Sequence, residues 1–432
     1  MRQIFFLALL IAFNQAYSQT QEPEKEKQEN SIRRFDFKNH KKDSLLTAAK
    51  RRAMASRKKW LKNARLNERK DTVTHLDLSY AGLTEIPEFI YKYYNLESLD
   101  LSHNNIKELP KALNRLQKLK SLSLASNNLH DRKIKIRKLR NIRELFLQDN
   151  GLKKFSGRYT RLKSVSEINL DKNNLTRIPP QLKRYKNLKI IKLSQNSGLN
   201  IDGQSLKKLS HIEKLRLNDC HLTSISQNLF SLKNLRELQL AKNNIETVPE
   251  EIKQLEKLEM FSLYKNQITS LPQGFYELKK LKEADLYYNQ IDRIDPAIKN
   301  LKELKVLYLS FNQLYTLPDE LGELPNLTRL YLHHNKLTEI PNGMSNLKKL
   351  QVLHLNHNYF TDFPFPVLAL TSLQDLDISE NEIFEIPDQI TELKKLKLLF
   401  LQKNPIEAKS TDSSRFQTLM DTFRKKGTTV NY

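Results

Sequence analysis

The sequence predicts an α/β solenoid in which short parallel strands line a concave face, with a helical cap at each end. Three observations carry this prediction. Asparagine recurs every 23 residues, at Asn104, Asn127, Asn150, Asn173 and Asn196 and, after one added residue, at Asn243, Asn266, Asn289, Asn312, Asn335, Asn358, Asn381 and Asn404. Each closes the same string, L-x-x-L-x-L-x-x-N-x-L, as in Leu327, Leu330, Leu332, Asn335 and Leu337. On either side of the array, apolar residues recur at steps of three and four, as lids over the exposed ends of a solenoid core require.

In chain order, Arg2 precedes an apolar run at residues 4–13, and Ala16 and Ser18 supply the small residues a signal peptidase reads. Residues 1–18 are therefore expected to be a signal peptide, with a mature start near Gln19. The run is too short to span a bilayer, and no later segment is long and apolar enough to do so, so an integral membrane protein is not expected. Residues 19–42 are too polar to fold alone and read as a disordered charged leader. Over 43–70, Leu46, Ala49, Ala53, Ser56, Trp60 and Ala64 share one helical face, a basic N-terminal cap helix. Residues 71–408 hold fifteen units, with Ala81 and Cys220 at the asparagine position of the first and seventh. Residues 409–432 give a C-terminal cap: a helix carrying Phe416, Leu419, Met420 and Phe423, stopped by Gly427 and followed by a last strand.

Within a unit, alternating leucines fill the core from one side of a strand. The asparagine sits where the chain turns, and its amide both donates and accepts, so it can satisfy backbone groups of neighbouring units. A thiol of similar size replaces its donor, so Cys220, the sole cysteine, is expected to be buried and inert. Nine units add a hydrophobic residue and proline, among them Ile86-Pro87, Leu271-Pro272 and Ile340-Pro341, which end strand pairing and send the chain across the convex side.

The chain thus resembles leucine-rich repeat proteins, of the typical 23-residue class found in Ras-group and Scribble-type members, in an exported bacterial form. The resemblance implies a right-handed horseshoe with its parallel sheet on the concave face. Units three, four, six, seven, ten and fifteen lack the proline, and their convex segments are expected to be irregular.

The net charge of +24 is concentrated. Residues 41–70 and 132–163 each hold twelve Lys or Arg against two acids, leaving only +4 for the rest. Nucleic acid is not expected as a partner, because the signal peptide directs export and the basic runs lack interleaved aromatics for base stacking. Anionic envelope lipids or acidic glycans, met through Lys135, Arg137, Lys153 and Lys154, form the alternative reading to a protein ligand. No Gly-rich phosphate loop or G-x-S-x-G elbow occurs, and an enzyme is not expected.

Side chains alternate along a strand, so residues six, four and two before each asparagine face outward on the concave side, and the residue one before lies on the rim. In units nine to thirteen these positions carry Tyr264, Tyr287, Tyr288, Tyr308, Phe311, Tyr331, His333, His334, His354 and His357. In units one to three they are small or polar, as in Ser98, Asp100, Ser102, Ser121, Ser123 and Ala125. With strands about 4.8 Å apart the aromatic patch runs roughly 20 Å, the composition of a binding hot spot for a protein ligand. The alternative is rings that stack on one another to stabilise the sheet. His334, His357 and Glu380 share one rim column beside His354 and Asp377, but no short-range ligand motif accompanies them, and neither metal nor cofactor is expected.

Overall fold

The computed structural model describes residues 71–432 apart from 130–135, 137, 156–161, 202–204 and 407–412. The expected signal peptide, charged leader and N-terminal cap helix lie outside the described residues, as do Lys135 and Arg137. The remainder forms an open sheet of sixteen parallel strands in chain order, from β1 (His75–Asp77) and β2 (Ser98–Asp100) to β16 (Thr429–Asn431).

Each strand is three residues long because only its central residue points into the core. Leu330 of β12 (Arg329–Tyr331) pairs with Leu307 of β11 (Val306–Tyr308) and Leu353 of β13 (Val352–His354), and Leu330 and Leu353 are fully buried. Past the strand, the residue preceding each asparagine position adopts φ between 51° and 62° in all fifteen units. Sequence pattern alone does not announce this left-handed turn, since Tyr288, Phe311, His334 and His357 all occupy it and bulky residues disfavour it. The turn swings the chain off the sheet and delivers the asparagine inward.

Asn312 shows the consequence. Its Nδ2 donates to the carbonyls of Leu286 and Leu309 at 3.0 Å each, and its Oδ1 accepts from Ile291 N at 3.0 Å. One side chain therefore ties its own unit to the one before. Cys220 keeps part of this pattern, its Sγ 3.3 Å from Leu193 O, and it is buried with its thiol pushed up to about 11 by desolvation.

Proline opens a five-residue 3-10 turn on the convex side, as in Gln273–Glu277 and Asp319–Glu323. The expectation of irregular convex segments is corrected for units seven and ten, which form the five-residue turns Gln227–Ser231 and Pro296–Asn300; unit six has a shorter turn, Leu206–Lys208, and part of its convex segment, residues 202–204, lies outside the described residues. In units seven and ten a polar cap replaces the proline: Ser226 accepts from Asn228 N and Asp295 from Ala297 N. At the C-terminal end helix α1 (Ser413–Lys425) buries Phe416, Leu419, Met420 and Phe423, and β16 pairs with β15 (Leu398–Phe400). Arg415 of α1 binds Asp388 at 3.2 Å, holding the helix to the convex turn of unit fourteen.

Candidate functional site

The register of the sheet brings the ten aromatic and histidine residues into one connected cluster. β9 (Met260–Ser262) and β10 (Glu283–Asp285) carry Tyr264, Tyr287 and Tyr288 just past their ends, and β11 to β13 carry the rest on the strands or in the turns after them. In the central column Tyr308 and Tyr331 lie face to face, centroids 4.8 Å apart and planes 7° from parallel, and His354 meets Tyr331 edge-on at 5.1 Å. The next column runs from Tyr264 to Tyr287 at 5.5 Å and from Tyr287 to His333 at 5.8 Å.

The rim column is a continuous stack. Tyr288 and Phe311 are 5.0 Å apart, Phe311 and His334 3.9 Å, and His334 and His357 3.8 Å. The stack ends in charge on both sides, with Lys265 Nζ 5.8 Å from the Tyr288 ring centre and Glu380 Oε2 2.5 Å from His357 Nε2. Lys403 holds the other oxygen of Glu380 at 3.1 Å. Because every rim residue shares the left-handed backbone, successive side chains leave it in one direction, and flat rings stack over several units.

Mutual packing alters the exposure read from the sequence. Tyr264 and Tyr331 are 6% and 9% exposed, so although they stand in the outward columns they are buried, each packed against the rings beside it. Tyr287, Tyr288, Tyr308, Phe311, His333, His334, His354 and His357 remain half-buried and form the accessible surface. Lys153 and Lys154, two of the four basic residues expected to meet an anionic partner, are exposed.

Burial sets the protonation of the patch. His333 is held well below the ordinary imidazole value, first by desolvation and then by the other three histidines. Desolvation and the facing His357 lower His334 to about 4 against the pull of Glu380. These two rings are neutral near pH 7. His334 and His357 stack face to face, an arrangement that carries their nitrogens alongside one another instead of converging on a point. Among the described residues no group of three His, Cys, Asp or Glu side chains is arranged to hold a metal ion.

Acidic residues beside the rings, most of them missed by the sequence reading, complete the face. Asp285 accepts from Ser262 Oγ at 2.7 Å, and Asp377 of β14 (Asp375–Asp377) accepts from Ser379 Oγ at 2.6 Å. His354 Nε2 lies 3.4 Å from Asp375 Oδ2 without hydrogen-bond alignment, and that nitrogen and Asp375 Oδ1 are enclosed with no partner. Their signal was available, since Asp285 and Asp377 share the outward column of Tyr308 and Tyr331, and Glu283 and Asp375 share the outward column beside it with Arg329.

The chain belongs to the leucine-rich repeat family. Leucine rich repeat profiles match residues 71–129 and 302–360, and a leucine-rich repeat region matches 161–289. A leucine-rich repeat protein of Leptospira interrogans is 30% identical and superimposes with a TM-score of 0.72, over 86% of this chain and 98% of that one. A TDR receptor is 26% identical with a TM-score of 0.60, over 77% of this chain and 60% of that one. A volume-regulated anion channel subunit of Homo sapiens is 48% identical over 48 residues, 11% of this chain and 6% of the relative. Among the described residues no helix is long and apolar enough to cross a membrane.

Proposed function

We propose that this protein is an exported, non-enzymatic binding module that takes a protein ligand on the concave face of units nine to thirteen. The observation that carries the reading is the connected ring cluster from Tyr264 to His357, half-buried by its own stacking and still accessible on one side. Aromatic side chains fixed in this way lose little entropy on contact, which suits them as anchors. The export signal at Arg2, residues 4–13, Ala16 and Ser18 supports a role outside the cytosol, and the fold is shared with a TDR receptor. Stacking and binding are compatible, because the rings that hold each other rigid also present the surface.

The test is affinity capture from culture medium and lysate with the wild type beside a Tyr287→Ala/Tyr308→Ala variant, each checked by melting temperature. Capture lost with melting retained supports the surface. Capture unchanged while melting falls would reduce the tyrosines to a stabilising stack. The export arm is checked by N-terminal sequencing, with Gln19 expected and an intact Met1 in the membrane fraction contradicting it.

A further inference from the structure

We infer that the ligand of this face is a basic peptide segment, whose arginine side chains enter between the carboxylates of β10 and β14 and lie against the Tyr308–Tyr331 stack. The inference rests on the binding surface proposed above and names the chemistry that surface would take.

The molecule supplies its own contrast. On the concave face of units five to eight, Glu167 and Glu237 are paired with cations on neighbouring strands, while Asp171 accepts from Ser194 N instead. Lys192 reaches Glu167 at 2.7 Å, and both Lys214 and Arg216 reach Glu237 at 2.9 Å. Burial alone would raise the Glu237 carboxyl, yet its two cations overcome this and hold it low. In the aromatic stretch the strands supply one such cation, Arg329. The outward strand positions of β10 to β14 carry Glu283, Asp285, Asp375 and Asp377 against Arg329. Among the described residues the ion pairs here are His354 with Asp375, His357 with Glu380 and Lys403 with Glu380, and Glu283, Asp285 and Asp377 join none of them. Desolvation raises all three of those carboxyls.

A protein of net charge +24 thus keeps a locally acidic patch around its flattest apolar rings. Half-buried carboxylates without cations cost stability, and such groups persist where a ligand completes them. Guanidinium matches both halves of the site, since its plane stacks on a tyrosine face while its N–H groups fork onto a carboxylate. Asp375 Oδ1, enclosed and without a hydrogen-bond partner, is an acceptor such a donor would satisfy.

The experiment measures fluorescence anisotropy of a labelled peptide of alternating arginine and glycine with the full chain, beside the same peptide carrying citrulline, a neutral isostere, in place of arginine. The wild type should bind the arginine peptide in a salt-sensitive manner and the citrulline peptide about tenfold more weakly or worse. A Glu283→Gln/Asp285→Asn/Asp375→Asn/Asp377→Asn variant should lose that preference. Its melting temperature at pH 7 should stay level or rise, a readout that a structural role for the carboxylates would move the other way. Equal binding of the two peptides by the wild type, an unaltered preference in the amide variant, or no binding of the arginine peptide would each overturn the inference. A dimer that the amide variant turns into a monomer would do the same by assigning the groove to a second copy. The binding surface itself stands or falls separately: a captured partner lost from Tyr287→Ala/Tyr308→Ala but kept by the amide variant retains the surface and rejects its cationic ligand.

Discussion

His333 and His334 sit where a positive charge is costly, between other imidazoles and under neighbouring rings. His334 is lowered from 6.5 to about 4, so the unfolded chain binds more protons than the native one between those values. The stability that follows is intact above about pH 6.5 and is lost as pH falls toward about 4. Buried carboxylates act in the opposite sense; Asp171, raised to about 6, favours the native state as pH falls through that value. The histidine contribution is therefore read from a difference. Denaturant unfolding at pH 7 and pH 5 should show the wild type losing more stability on acidification than His334→Phe, and equal losses would contradict the assignment. Tyr331 makes a second residue-scale case. Buried between Tyr308 and His354, it should cost about 2 kcal/mol or more on truncation to alanine, with Tyr308→Ala costing less. A thermal melt that ranks the two the other way would mean that the stack is not what holds Tyr331.

At the scale of the element, the convex turns are positioned by close contact between successive units. A β-carbon at Gly322 would stand 1.8 Å from Gly343 O, and one at Gly343 would stand 2.2 Å from Asp319 O, so these turns approach at backbone distance. Asp319 Oδ1 also accepts from Gly343 N at 2.7 Å, capping the next unit's turn from its neighbour. Gly322→Ala should therefore cost about 2 kcal/mol, whereas Asp295→Ala, which removes one cap and an exposed hydrogen bond from Gln273 Nε2, should cost about 1 kcal/mol. Denaturant midpoints rank the two, and a neutral Gly322→Ala would show that the turns can separate freely. Where proline is absent, Ser226 and Asp295 do its work. That substitution is why units seven and ten were misjudged from sequence: a proline signal is visible by type, while a polar cap is recognised only once the turn it caps is known.

Across the whole molecule, the architecture was legible because a period of 23 residues fixes which side chains share a column. That was enough to place Tyr308 beside Tyr331 and His334 beside His357. It was not enough to give ring orientation, which depends on the left-handed backbone at the rim, or to show that Tyr264 and Tyr331 are covered by their neighbours. Charge pairing was also hidden, since Glu237 and Asp285 look alike in sequence until one is seen with two cations and the other with none. The concentrated positive charge makes a separate prediction. If the basic end meets anionic lipid or glycan, charge reversal at Lys135, Arg137, Lys153 and Lys154 should abolish salt-sensitive retention on anionic vesicles, and equal retention would reduce it to surface composition.

The central claim, that the ring cluster on the concave face is where a ligand docks, is tested most directly by hydrogen–deuterium exchange of the full chain with and without its captured partner. Added protection is expected over β9 to β13 and the turns bearing Tyr288, Phe311, His334 and His357, with the convex turns of the same units unchanged. Protection confined to the convex side or to the strands from β1 to β3 (Ser121–Ser123), with units nine to thirteen unaffected, would contradict it.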